Sequence, residues 1–111
     1  SPKEHDKHLA YVSHLSHVSS FMLGLTVLDI EKDEKQIFDL AGTGFASTVR
    51  LAKSNPQTWS AIFNKNRKYL IEALDSYILH LQNFRNHIDT KNIEATEQLM
   101  AESNKIKRIL Q

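Results

Sequence analysis

Apolar residues recur at steps of four and three near the start of the chain. Tyr11, Leu15, Val18, Met22 and Leu25 follow this rhythm, which lays a continuous apolar face along one helix. A second stripe keeps the same rhythm on another face: Asp6, Ala10, Ser13, His17, Ser20 and Gly24, each of them small or polar. A solvated face would carry Lys and Glu, and a core face would carry Leu and Ile. Small hydrogen-bonding residues suit a surface that a second helix or a polar ligand approaches closely. Ser1 as N-cap, Pro2 at the first helical position and Glu4 in a capping box start this helix, which is expected to run from Pro2 to Ile30.

The pattern then shortens. Asp33 is placed to cap a second helix carrying Ile37, Phe38 and Leu40. Ala41-Gly42-Thr43-Gly44-Phe45 reads as a helix–helix turn, with Gly42 at a C′ position and Thr43 or Gly44 opening the next helix. A third helix is expected from Phe45 to Lys53, burying Phe45, Val49 and Ala52, with Arg50 at the edge of that face. Asn55 and Pro56 restart the chain into a helix bearing Trp59, Ile62 and Phe63. A long helix from about Lys65 to His87 repeats Leu70, Leu74, Tyr77, Leu81, Phe84 and Ile88 at heptad-like spacing. A last helix, Lys91 to Leu110, carries Ile93, Thr96, Met100, Ser103, Ile106 and Leu110. No strand pattern occurs. The fold class is all-α: a helical bundle with a long N-terminal helix, short central helices and two long C-terminal helices, read as a hairpin or a partner-binding seam and expected to form an intertwined dimer.

Composition narrows the function. The chain has 111 residues, 41% hydrophobic, enough for one domain spanning 1–111. A formal net charge of +1 supplies no global field for nucleic acid or an anionic membrane. The local basic runs Lys65-Asn66-Arg67-Lys68 and Lys105-Ile106-Lys107-Arg108 fit solvated helix faces. With Cys 0 there are no disulfides, thiolate metal sites or thiol nucleophiles, which fits a reducing, cytoplasmic setting. No apolar run approaches the roughly 20 residues that span a bilayer. The chain starts without Met, directly in a capped helix, as a piece of something longer would.

Four of the six histidines fall in the first helix: His5, His8, His14 and His17. On a regular helix the His5/His8 pair points well away from the His14/His17 pair, so four ligands cannot converge and no metal site is assigned. His5 and His8 fit hydrogen bonding near a helix end. His14 and His17 flank the polar stripe, and imidazoles there need partners, either a satisfied structural network or a ligand. The glycine turn lacks the preceding strand and the further glycine of a dinucleotide fingerprint. Arg50 lies in a segment short of charge, and a guanidinium there suits planar, bidentate binding of a carboxylate.

Four ordered motifs now become specific together: HDxxxAxxSHLxH at His5 to His17, AGTGF at Ala41 to Phe45, VRLAKSNPQTW at Val49 to Trp59 and IFNKN at Ile62 to Asn66. In this order and spacing the chain resembles the C-terminal helical domain of prephenate dehydrogenase over its first two-thirds; the last two helices match in character only. The resemblance implies an enzyme that oxidatively decarboxylates prephenate to 4-hydroxyphenylpyruvate with NAD or NADP, in tyrosine biosynthesis. It further implies a homodimer formed through this domain, tyrosine as a possible inhibitor, and a preceding Rossmann domain that carries the catalytic histidine and the cofactor.

Carried over by position, the resemblance assigns Arg50 to a substrate carboxylate and His17 to the prephenate pocket. Ser13, His14, Gly44 and Trp59 line or support that pocket. No catalytic, cofactor-binding or metal residue is assigned within 1–111, and the fragment alone is expected to be inactive. Ser16 stands where the family usually has Pro, which implies a straighter helix; Ser47 stands at an often acidic position, and Val49 replaces a common Thr. The competing expectation is a purely structural helical dimerisation module without a ligand site.

Overall fold

In the computed structural model residues 1–110 are described, apart from the side chain of Phe38, so the apolar role expected of Phe38 lies outside the described residues. The chain divides into two compact units, Ser1–Ala73 and Leu74–Gln111. Every described regular element is helical.

The first unit opens with α1 (Pro2–Leu9), whose capping box is formed as expected: Glu4 N–H donates to Ser1 Oγ at 3.3 Å and the Ser1 amine to Glu4 Oε2 at 3.5 Å. The chain passes through a π-helical turn, Ala10–His14, into α2 (Leu15–Ile30). Leu15 N–H donates to the Ala10 carbonyl, five residues back instead of four. This differs from the straight helix implied by Ser16. A π turn inserts one extra residue, and it rotates everything beyond it relative to α1. Proline is therefore not needed to break the register here.

Asp33 caps α3 (Glu34–Leu40), accepting from Lys35 and Gln36 N–H at 3.0 and 3.2 Å. Gly42 does not take the expected left-handed C′ position. Its φ of −93° and ψ of −178° are extended, and it is the N-cap of α4 (Thr43–Thr48). The third helix is shorter than expected, because a 3₁₀ turn, Arg50–Lys53, replaces its second half. Asn55 Oδ1 accepts from Thr58 N–H at 2.9 Å and Pro56 begins α5 (Pro56–Lys65). Asn66 then separates α5 from α6 (Arg67–Asp89).

Close packing in the first unit follows the small stripe. Ala10 is fully buried, and Ser20 is 4% exposed with its hydroxyl donating to the Thr48 carbonyl at 2.7 Å. A Cβ on Gly24 would stand 3.5 Å from the Ala52 Cβ, so α2 and the 3₁₀ turn meet nearly backbone to backbone. Leu70 and Ala73 complete the core of this unit. Leu70 thus belongs to a core and not to an open seam. The apolar face of α2 is open instead: Met22, Leu25 and Leu28 are about half exposed.

The second unit holds the rest of α6, α7 (Ile93–Ser103) and a terminal 3₁₀ turn, Asn104–Arg108, where a continuous helix to Leu110 is expected. The α6–α7 turn is closed by Lys91 in the left-handed region, φ 58°. Asn92 N–H donates to the His87 carbonyl at 2.8 Å and Lys91 N–H to that of Ile88 at 3.1 Å, a Schellman ending with lysine where glycine is usual. Asn92 Oδ1 then caps α7, accepting from Ala95 N–H at 3.1 Å.

Candidate functional site

The π turn and the start of α2 bring two imidazoles against α5. His17 stacks on the Trp59 indole, with ring centroids 3.5 Å apart and planes 19° from parallel. Its Nδ1–H donates to the Ser13 carbonyl at 2.9 Å, one helical turn back. A carbonyl only accepts, so in the neutral ring the lone pair sits on Nε2. Ring plane and tautomer of His17 are therefore both fixed by the fold.

His14 is 7% exposed and meets Trp59 and Phe63 edge-on, at centroid distances of 6.4 and 6.2 Å. Asn66 reaches it from the α5–α6 junction: the Nδ2 amide donates to the Asp6 carbonyl at 2.8 Å and lies 3.2 Å from His14 Nδ1. Desolvation lowers the pKa of His14 below the usual 6.5; the neighbouring His17 lowers it further, while Asp6 raises it. Burial thus favours the neutral form of this imidazole.

Ser13, His14, His17 and Trp59, all expected at the site, form one cluster. Trp59 also lines an apolar groove of about 600 Å³ between α2 and α5, bounded by Val18, Met22, Leu25 and Phe63. Arg50 opens the 3₁₀ turn that packs on α2. Its side chain is exposed and forms no ion pair among the described residues. Gly44 lies in the first turn of α4, exposed, with open space where a Cβ would be and its carbonyl accepting from Thr48 Oγ1 at 2.8 Å. Neither Arg50 nor Gly44 touches the imidazole cluster through a hydrogen bond. His5 and His8 are exposed, and no three metal-ligating side chains converge among the described residues.

One participant was not singled out by spacing, Asn66, which contacts both Asp6 and His14. The signal for Asn66 is an asparagine between two apolar helical runs: its φ of −110° and ψ of 29° lie near the bridge region, where a helix can end and restart.

Fold and cluster together define an all-helical domain organised on one long, π-interrupted helix. The chain belongs to the family described as "Prephenate dehydrogenase, dimerization domain", which it matches over residues 1–102. A prephenate dehydrogenase of Lactococcus lactis subsp. cremoris is 27% identical over 109 residues, 98% of this chain and 31% of the relative. A cyclohexadienyl dehydrogenase of Zymomonas mobilis is 31% identical, over 99% of this chain and 38% of the relative. Among solved structures, Synechocystis arogenate dehydrogenase superposes with a TM-score of 0.89 at 26% identity, over the whole of this chain and 41% of the other. Prephenate dehydrogenase from A. aeolicus, solved with hydroxyphenyl propionate and NAD+, gives a TM-score of 0.83 at 32% identity, over 98% of this chain and 38% of the other. The chain therefore spans 31% and 38% of the length of these two curated relatives.

Proposed function

We propose that this chain is the substrate-binding and dimer-forming domain of an NAD- or NADP-dependent prephenate dehydrogenase, acting in tyrosine biosynthesis in the cytoplasm. The observation that carries this reading is the His17–Trp59 stack, with Nδ1 of His17 committed to Ser13 and Arg50 displayed unpaired on a turn packed against the same helix.

Prephenate is a dianion. Hydride leaves the ring carbon bearing the hydroxyl, carbon dioxide departs from the ring, and aromatisation supplies much of the driving force. The enzyme must orient the dianion and relieve the hydroxyl of its proton. Arg50 offers a planar fork to a carboxylate. His17 offers Nε2 as an acceptor toward a substrate hydroxyl, and Trp59 holds the imidazole plane. Ser13 and His14 support that pocket, whereas Gly44 stands apart on the exposed first turn of α4.

NAD or NADP, when bound, accepts the hydride. Residues 1–110 do not fit it: Gly42-Thr43-Gly44 follows a helix, not a strand, and leads into a helix of only 6 residues. No step is assigned to the dinucleotide here; a preceding Rossmann domain would bind it in the intact enzyme and supply the catalytic histidine. This domain alone is accordingly inactive.

Titration with hydroxyphenyl propionate or prephenate, followed by NMR, tests the reading. Shifts at His17, Trp59 and the Arg50 guanidinium, reversed by competing tyrosine, are expected. Absence of any shift, in this chain and in the full-length dehydrogenase, would leave a purely structural dimerisation module.

A further inference from the structure

Asn66 occupies a junction that controls more than chain direction. Its N–H donates to the Ile62 and Phe63 carbonyls at 3.3 and 3.2 Å, ending α5, and its carbonyl accepts from Leu70 N–H at 3.0 Å, starting α6. Its backbone is thus committed on both sides. The side chain is left to cross to α1 and the π turn, 60 and 52 residues away in sequence.

The chemistry of its two contacts is decisive. The atom 2.8 Å from the Asp6 carbonyl must be the amide nitrogen, since an amide oxygen there would face another acceptor. The same nitrogen lies 3.2 Å from His14 Nδ1. An amide NH₂ cannot accept, so in that contact Nδ1 must accept and the proton of neutral His14 must sit on Nε2. We infer that Asn66 is a positioning residue that locks His14 as the Nε2–H tautomer, making it a fixed hydrogen-bond donor beside His17, whose Nε2 is an acceptor. The fold so builds opposite polarities into two imidazoles three residues apart. This inference rests on the proposed substrate pocket only for its purpose; the tautomer stands on the hydrogen bonds alone.

Protonating His14 at Nδ1 would set an N–H against the Asn66 amide and break the contact. Asn66 therefore also resists the cationic form. The ionisable groups facing His14 act in both directions: His17 from α2 opposes a positive ring and Asp6 from α1 favours it, while Lys65 from α5 lines the same small cavity.

Imidazole ¹⁵N spectra of the chain test this directly. Wild-type His14 should show a protonated Nε2 and an unprotonated Nδ1 above neutral pH. In Asn66→Asp, isosteric but with an acceptor in place of the amide nitrogen, the contact to the Asp6 carbonyl is lost, the proton should move to Nδ1 and the titration midpoint should rise by about one pH unit. Asn66→Ala should populate both tautomers. A wild-type Nδ1–H signal, or an unchanged tautomer and midpoint in Asn66→Asp, overturns the inference. If Asn66→Asp does not fold, Asn66→Ala decides: an unchanged, single Nε2–H tautomer in that variant overturns the lock. Hydroxyphenyl propionate binding is measured on the same samples, so a pocket that binds nothing and a tautomer that is not locked give different results.

Discussion

At the scale of single residues, the sharpest contrast is between His14 and Arg50. The Arg50 side chain is exposed and makes no hydrogen bond or ion pair among the described residues, so its removal should leave stability nearly unchanged. In the intact enzyme, Arg50→Ala should lower kcat/KM at least about tenfold, the loss of a charge-assisted contact worth about 1.5–3 kcal/mol, mainly through KM. Arg50→Lys should recover only part, keeping charge but not the fork. Normal KM with a lowered Tm would reverse the assignment. His14 is the opposite case. Its folded pKa lies below the unfolded 6.5, so the folded state binds fewer protons in the interval between the two. Stability is then fully present above 6.5 and falls as pH drops through that interval toward the folded value. Urea midpoints for wild type and His14→Gln, compared across about pH 5 to 8, should converge at the acid end; parallel curves would contradict the shift. Of these residues the sequence displayed identities and spacing. It could not display that His14 is buried and His17 half-buried, because that depends on how far the π turn rotates the helix.

At the scale of elements, what was legible is what local chemistry determines. Caps at Ser1, Asp33 and Asn55 were readable because side-chain acceptors and proline act within three residues. The small stripe through Ser20 and Gly24 was readable as a close-approach surface, and the 3₁₀ turn bearing Arg50 is what approaches it. The π turn was not readable: its extra residue is stabilised by packing and by Asn66, both distant in sequence. Gly42 misled for a related reason, since glycine serves an N-cap as well as a left-handed C′. Two substitutions check these elements. Gly24→Ala puts its methyl at ordinary contact distance from Ala52 and removes a glycine from mid-helix, so it should stabilise by about 0.5–1 kcal/mol. A destabilised variant would mean that α2 and the 3₁₀ turn sit closer still. Lys91→Gly relieves a left-handed lysine and should gain up to about 1 kcal/mol, read as a higher Tm; a loss would show that the lysine side chain contributes at that turn.

At the scale of the whole molecule, the amount of uncovered apolar surface is what the two units share. In the first, the α2 face and its groove leave Met22 and Leu25 about half exposed. In the second, a groove of about 500 Å³ runs between α6 and α7, where Leu81 is 51% and Met100 48% exposed, and Ile78 on α6 is also open at 47%. Single exposed apolar residues are ordinary, but contiguous faces on several helices mark an interface. A stable dimer buries about 1,600 Å² in total, more than one short helix supplies, so several of these faces must take part. Membership of a family described as a dimerization domain makes a second copy of the chain the occupant to test. We therefore expect sedimentation to show a dimer at protein concentrations in the micromolar range. Leu81→Glu and Met100→Glu, each placing a charge on an exposed seam away from the buried residues Ala10, Leu70 and Ala73, should shift the equilibrium to monomer while leaving helical circular dichroism intact. A wild-type monomer would remove the dimer altogether. A persistent dimer in both variants would move the interface away from the α6–α7 groove to the α2 face, where Met22→Glu is the corresponding substitution.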